Sequence, residues 1–172
     1  IDIGGGTTDI AIVEKGSVAE TKMFAFGGRT FTKEIAKVLN LDYRFAEQRK
    51  LKYSKKELNR ELSRQVQAIV YPVAKLWLKT LKSALDYCDD IDSFPTQIYL
   101  CGGGALLPEI REVMIEFPWK KFSRFPVVPK IDFFTPEKLE NITDTSGELK
   151  HLFDITPASL AKFVYDINRK KI

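Results

Sequence analysis

Apolar and polar residues along this chain follow two different periods, and the switches between them mark its elements. Residues 9–13 (Asp-Ile-Ala-Ile-Val) are apolar and β-branched and predict a strand. Residues 14–17 predict a turn and 18–26 a second strand, so the chain opens as a meander that Gly27-Gly28 ends. Thr30 or Thr32 then caps a predicted helix with Phe31, Ile35, Ala36 and Leu39 on its apolar face. The charged segment 42–64 reads as mostly helical. Leu62, Val66, Ile69, Val70, Val73, Trp77, Leu81 and Leu85 then recur at helical spacing. Pro72 within that pattern predicts a kink or the start of a second helix.

Phe94-Pro95 is a break. Gln97 to Cys101 predicts a buried strand that runs straight into Gly102-Gly103-Gly104, followed by a helix over 108–117. Residues 118–148 read as loops around one or two short strands, at Val127-Val128 and 131–134. A helix over 157–169 closes the pattern. Its stripe of Leu160, Phe163, Val164 and Ile167 reads as packing into the core and not as a membrane anchor. Strands flanked by long helices give an α/β class. A meander followed by a helix-connected strand predicts a mixed sheet.

Composition narrows the chemistry. Of 172 residues 44% are hydrophobic, enough for a core. The net charge of +4 is scattered. The densest basic stretches, 49–56 and 169–171, read as solvated faces. Neither is interleaved with aromatics in the way a nucleic-acid platform would be, which argues against nucleic acid as a partner. Cys88 and Cys101 lack metal-ligand spacing and suit a reduced, cytoplasmic protein. The lone histidine, His151, argues against a His-based metal or catalytic site. No apolar run approaches the roughly 20 residues of a transmembrane helix. Ile1 already lies inside a strand pattern, so an N-terminal portion is expected to precede it.

Two glycine clusters carry the functional signal. In Asp2-Ile3-Gly4-Gly5-Gly6-Thr7-Thr8-Asp9, an acidic residue at a strand end meets a glycine turn and two hydroxyls. Glycine permits positive φ and lets a phosphate approach the amides, and the threonine hydroxyls can add hydrogen bonds. A carboxylate at Asp2 would repel phosphate, so its natural partner is a hydrated Mg²⁺. No lysine follows as in a P-loop, and Asp9 stands where a dinucleotide fingerprint needs its third glycine. In Gly102-Gly103-Gly104, bare backbone lies at a strand's C-terminal end, where open α/β sheets take ligands.

The pair resembles the phosphate-2 and adenosine motifs of the actin, DnaK-type chaperone and sugar-kinase superfamily, and within it the FtsA family. FtsA similarly carries DIGGGTTDIA, then a GG-x-x-x-T helix start (Gly27 to Thr32 here), an Ala-Glu-x-x-Lys segment (Ala46 to Lys50) and a long helix leading to a GGGA strand end. The resemblance covers about residues 1–115. It implies a ribonuclease H-like, actin-like ATPase lobe comprising 1–41 and 62–172, a reduced helical sub-lobe at 42–61, and a separate N-terminal lobe that completes the site.

The resemblance further implies ATP and Mg²⁺ as cofactors. Gly4, Gly5, Gly6, Thr7 and Thr8 would hold phosphates. Asp2 would face Mg²⁺ through water. Gly102, Gly103 and Gly104 would line the adenosine, and Glu47 and Lys50 would reach ribose and adenine. It implies an ATP-binding cell-division scaffold that works with an FtsZ-like tubulin homologue and divisome proteins, self-associates into filaments, and sits at the inner face of the membrane at the division site. A PilM-like adaptor of type IV pilus assembly and a sugar or acetate kinase are the alternatives. Asp9 is a candidate carboxylate, but no catalytic base is assignable. The chain alone is expected not to be a competent ATPase, and the full-length protein at most a slow one.

Overall fold

The computed structural model describes residues 1–169. Two short sheets meet at one point. Strand β1 (Asp2–Ile3) pairs antiparallel with β2 (Thr8–Glu14), which pairs antiparallel with β3 (Ser17–Phe24). Strand β4 (Gln97–Leu100) pairs in parallel with β5 (Lys130–Phe133). A parallel bridge between Asp2 and Cys101 joins them, so the order across both is β3-β2-β1-β4-β5, mixed as expected. Val127 and Val128 lie outside any strand and are exposed.

Side-chain alternation explains which face of the sheet is covered. In β2, Thr8, Ile10 and Ile12 are buried while Asp9, Ala11 and Val13 are exposed, the period-two pattern of a sheet packed on one side. Helix α3 (Arg60–Asp86) covers that side. It packs against β3, against α1 (Gly28–Leu39) and against α4 (Pro108–Glu116). It buries Val66, Ile69, Val70, Ala74, Trp77, Leu78, Leu81 and Leu85, close to the stripe read from the sequence. Asn59 Oδ1 accepts from the Leu62 amide at 2.9 Å and starts the helix. Pro72 does not divide it. The residue sits on the exposed side of one uninterrupted 27-residue helix.

Three expectations change. Neither Thr30 nor Thr32 caps α1: its N-cap is Gly27, without a side-chain cap bond. The basic stretch at 49–56 is not wholly solvated, because helix α2 (Tyr43–Ser54) buries Ala46, Lys50 and Tyr53, spaced to lie on one face against α1. The last two residues of the other basic stretch lie outside the described residues. The final helix, α5 (Ile155–Arg169), is no core helix. Only Ile155 is buried, while Leu160, Phe163, Val164 and Ile167 are exposed. The physical reason is its attachment: α5 packs on the turn Leu152–Asp154, and its later residues line an open depression with Asn141, Asp144 and Leu149 instead of entering the core.

The segment 118–148, read as mostly loop, contributes a second apolar centre. Phe94, Trp119, Phe122 and Phe125 form one aromatic cluster around Phe125, the closest ring pair in it being Trp119–Phe125 at 4.9 Å. Arg124 donates to Leu85 O and Cys88 O, both at 2.6 Å, and so closes the C-terminal end of α3.

Candidate functional site

The bridge between Asp2 and Cys101 brings both glycine clusters to one place. The Ile3 amide donates to Cys101 O and the Cys101 amide to Ile1 O, each at 2.9 Å. The chain therefore leaves β1 and β4 side by side and in the same direction. At Gly102 the backbone turns with φ +83°, a region that favours glycine. A Cβ at Gly102 would overlap Asp2 Oδ1 and lie 2.6 Å from Ile3 O. One at Gly104 would overlap Ile3 Cγ2. The second cluster is thus glycine because β1 presses against it. Gly103, with nothing within 4 Å of its Cβ position, faces open space.

The first cluster is a hairpin turn closed by the Gly4 amide donating to Thr7 O at 2.9 Å. Positive φ is not its purpose, since none of Gly4, Gly5 and Gly6 adopts it. Its carbonyls instead start α1: Gly28 N donates to Gly4 O at 2.9 Å and Arg29 N to Gly5 O at 2.8 Å. The helix entry and the turn are locked together by backbone alone. Among the described residues the amides of Gly5 and Gly6 donate to no backbone carbonyl.

Between these turns and α2 lies a cleft of about 220 Å³. Gly4, Gly5, Gly28 and Arg29 form one side, Gly103, Gly104 and Leu107 another, and Tyr43, Glu47, Lys50, Leu51 and Ser54 of α2 the third. Lys50 is buried and its three ammonium protons are all engaged. It donates to Gly28 O at 3.0 Å, Thr32 Oγ1 at 2.8 Å and Glu47 Oε2 at 2.9 Å. Thr32 Oγ1 also donates to Glu47 Oε2. This network ties α2 to the helix entry and holds Glu47 at the cleft. Behind it, Tyr53 Oη donates to Glu109 Oε1, joining α2 to α4. Burial holds the Glu109 carboxyl above the usual carboxylate range, against the opposing pull of Tyr53's hydrogen bond.

The other expected residues are dispersed. Thr8 is fully buried on the core side of β2. Its hydroxyl donates to Phe26 O at 2.6 Å and accepts from Trp77 Nε1 at 2.9 Å, which leaves nothing for a phosphate and corrects that expectation. Thr7 Oγ1, at the rim, donates to Asp9 Oδ2 at 2.9 Å. Asp2 and Asp9 are register partners across β1 and β2, and both line a neighbouring depression with Thr156. Thr156 Oγ1 donates to Asp2 Oδ2 at 2.5 Å. Among the described residues no group of three or more His, Cys, Asp or Glu is placed to hold a metal ion, and no helix is long and apolar enough to cross a membrane.

Arg29, Tyr43 and Thr156 were missed by sequence reasoning. Arg29 adjoins a motif that was read, but nothing in a linear pattern says which way its side chain turns. Thr156 lies 154 residues from its partner, and no local signal connects them.

Known proteins resemble this chain in sequence and in fold. The family model described as cell division protein FtsA matches residues 1–143. The FtsA of Streptococcus pneumoniae serotype 2 (strain D39) is 31% identical over 134 residues, 67% of this chain and 29% of that protein. The chain spans under a third of the length of the curated relatives it matches. Among solved structures, the PilM–PilN type IV pilus biogenesis complex aligns with a TM-score of 0.59 at 20% identity, covering 81% of this chain and 38% of that one. MreB 5 of Spiroplasma citri bound to AMPPNP aligns with a TM-score of 0.50 at 22% identity, covering 76% and 46%. The fold is that of the actin-like ATPases, and with 143 of its residues matched, this chain belongs to the FtsA family of cell division proteins.

Proposed function

We propose that this chain forms one wall of an ATP site in an actin-like cell-division scaffold that links an FtsZ ring to the inner face of the membrane. The observation that carries the reading is the shared cleft, where the two glycine turns and the Glu47–Lys50 pair converge. Phosphates lie against Gly4, Gly5, Gly6 and Thr7. The base and ribose lie against the exposed backbone of Gly103 and Gly104, with Gly102 beneath and Glu47 on the ribose side. Lys50 acts by holding Glu47 and the α1 entry, since its own donors are spent.

Asp2 and Asp9 offer only oxygen donors and face each other across two strands, where like charges are costly unless neutralised. That donor set fits hydrated Mg²⁺, with Asp2 holding it through water. When bound, Mg²⁺ supplies charge neutralisation to the phosphates. Asp9 keeps the Thr7 hydroxyl oriented at the turn. In this reading residues 42–61 are the reduced sub-lobe, and a second lobe supplies the opposite wall of the site and any catalytic base. Nucleotide would favour the closed form through its higher affinity for it, and the closed form would favour self-association.

FtsA family membership supports FtsZ and divisome proteins as partners, and the AMPPNP bound to the MreB neighbour supports a nucleotide. The PilM likeness at 20% identity shows the fold alone, so no observation favours a pilus partner. The test is calorimetric titration of Mg²⁺·ATP into the full-length protein and its Asp2→Ala variant. Binding by the wild type, with loss of its Mg²⁺-dependent part in the variant, is expected. A wild type that binds no nucleotide sinks the reading.

A further inference from the structure

The guanidinium of Arg29 stands over the tip of the first glycine turn. Its Nε lies 3.6 Å from where a Cβ on Gly5 would be, and its Nη1 3.7 Å from the same point on Gly6. The backbone of Arg29 is fixed there by its 2.8 Å bond to Gly5 O. Its side chain is exposed and lines the cleft. Among the described residues it has no carboxylate partner.

The other cation of the cleft is not available. Lys50 is buried with every proton committed to protein oxygens. The unspent positive charge at this cleft is therefore Arg29, and it sits beside the two amides, of Gly5 and Gly6, that lack a backbone acceptor. A planar guanidinium matches the oxygens of a phosphate in a two-pronged contact that an ammonium cannot reproduce. With no side chains on Gly5 and Gly6, nothing stands between that fork and an anion resting on the turn.

We infer that Arg29 binds the polyphosphate of the nucleotide and sets the preference of this site for ATP over less phosphorylated adenosine compounds. The inference rests on the nucleotide reading of the cleft and adds the residue that reads ligand charge. Its signature is an effect that scales with phosphate number. Adenosine binding does not involve the residue, ADP involves it in part, and ATP involves it most.

The experiment measures dissociation constants for ATP, ADP and adenosine at fixed Mg²⁺ and salt, in the full-length wild type, R29A and R29K. R29A is expected to weaken ATP by about tenfold or more, the scale of a lost charge-assisted contact. ADP should weaken less and adenosine stay unchanged, with R29K intermediate for ATP. Because the side chain is exposed, circular dichroism and melting temperature should match the wild type. Should R29A be unstable, R29K retains the stem and charge and carries the same comparison. Equal ATP affinity in wild type and R29A overturns the assignment while leaving the nucleotide site standing. So does a uniform loss across all three ligands. No nucleotide binding by the wild type removes the nucleotide site, and the assignment with it.

Discussion

Asp2 and Cys101 are bridge partners on neighbouring parallel strands, 99 positions apart in the chain. Everything at the cleft follows from that contact. Ile3 and Gly102 each lie one residue past the bridge and are the points where the two segments diverge. The two glycine turns wall the space they open with backbone, and α2 lines its other side with side chains. The bridge also explains the glycines of the second cluster: Asp2 and Ile3 occupy the volume that side chains at 102 and 104 would need.

The three glycines at 102–104 should therefore respond differently to alanine. Gly102→Ala meets Asp2 and Ile3 O and must hold a positive φ, so it should cost about 2 kcal/mol or more. Gly104→Ala should be similarly harmful through its overlap with Ile3. Gly103→Ala should change stability by less than about 0.5 kcal/mol, because its Cβ enters open space. Urea unfolding of the three variants decides this. Equal losses at all three would contradict the account.

Lys50 should act as a structural tie. Lys50→Ala removes a buried cation from Gly28 O, Thr32 and Glu47 together. Breaking a buried pair costs about 3–5 kcal/mol, and because Glu47 remains a third exposed, about 2–3 kcal/mol is expected here. Glu47→Gln leaves Lys50 with its two other acceptors and should cost less, about 1 kcal/mol. Denaturant midpoints of both variants measure the difference. A Lys50→Ala variant as stable as wild type would show the network to be incidental.

Much of this was legible in the sequence where it was local. The glycine turns, the long helix and the strand entering Gly102 all follow from period and from breakers. Alternation also carries information that motif reading overrode. Thr8 shares a parity with Ile10 and Ile12, so the strand rule assigns it to the core, while the family motif assigned it to phosphate. Lys50 shows the reverse limit. A lysine in a basic run reads as solvated, and only the packing of α2 on α1 reveals three acceptors waiting for it. In α5 the helical period was read correctly, but a stripe does not say what lies opposite, and here its four residues stay exposed.

That exposure leads to a third expectation. Replacing Phe163 or Leu160 by a polar residue should leave the folding stability of this lobe within about 0.5 kcal/mol, because both side chains are about 60% exposed. Ile155→Ala, by contrast, removes the buried anchor of the helix and should cost about 2–4 kcal/mol. Thermal or urea denaturation of the three variants separates them. A large loss at Phe163 would mean that the stripe is covered in solution.

Glu109 should make stability depend on pH. Its side chain is fully buried, Oε2 has no hydrogen-bond partner among the described residues, and burial raises its pKa. A carboxyl raised in this way keeps its proton longer in the folded chain than in the unfolded one, where it titrates near about 4.3. Between the unfolded and the raised folded value the native state binds more protons, so stability falls as pH rises through that window. Above the folded value the loss is complete. Glu109→Gln keeps the shape, the acceptor for Tyr53 and the neutral form, and so removes this slope. Other carboxylates contribute slopes of their own, and the difference between wild type and variant isolates Glu109. Urea midpoints from about pH 4 to about pH 8 should show wild type losing ground to Glu109→Gln as pH increases. Parallel curves would mean that Glu109 titrates as an ordinary glutamate.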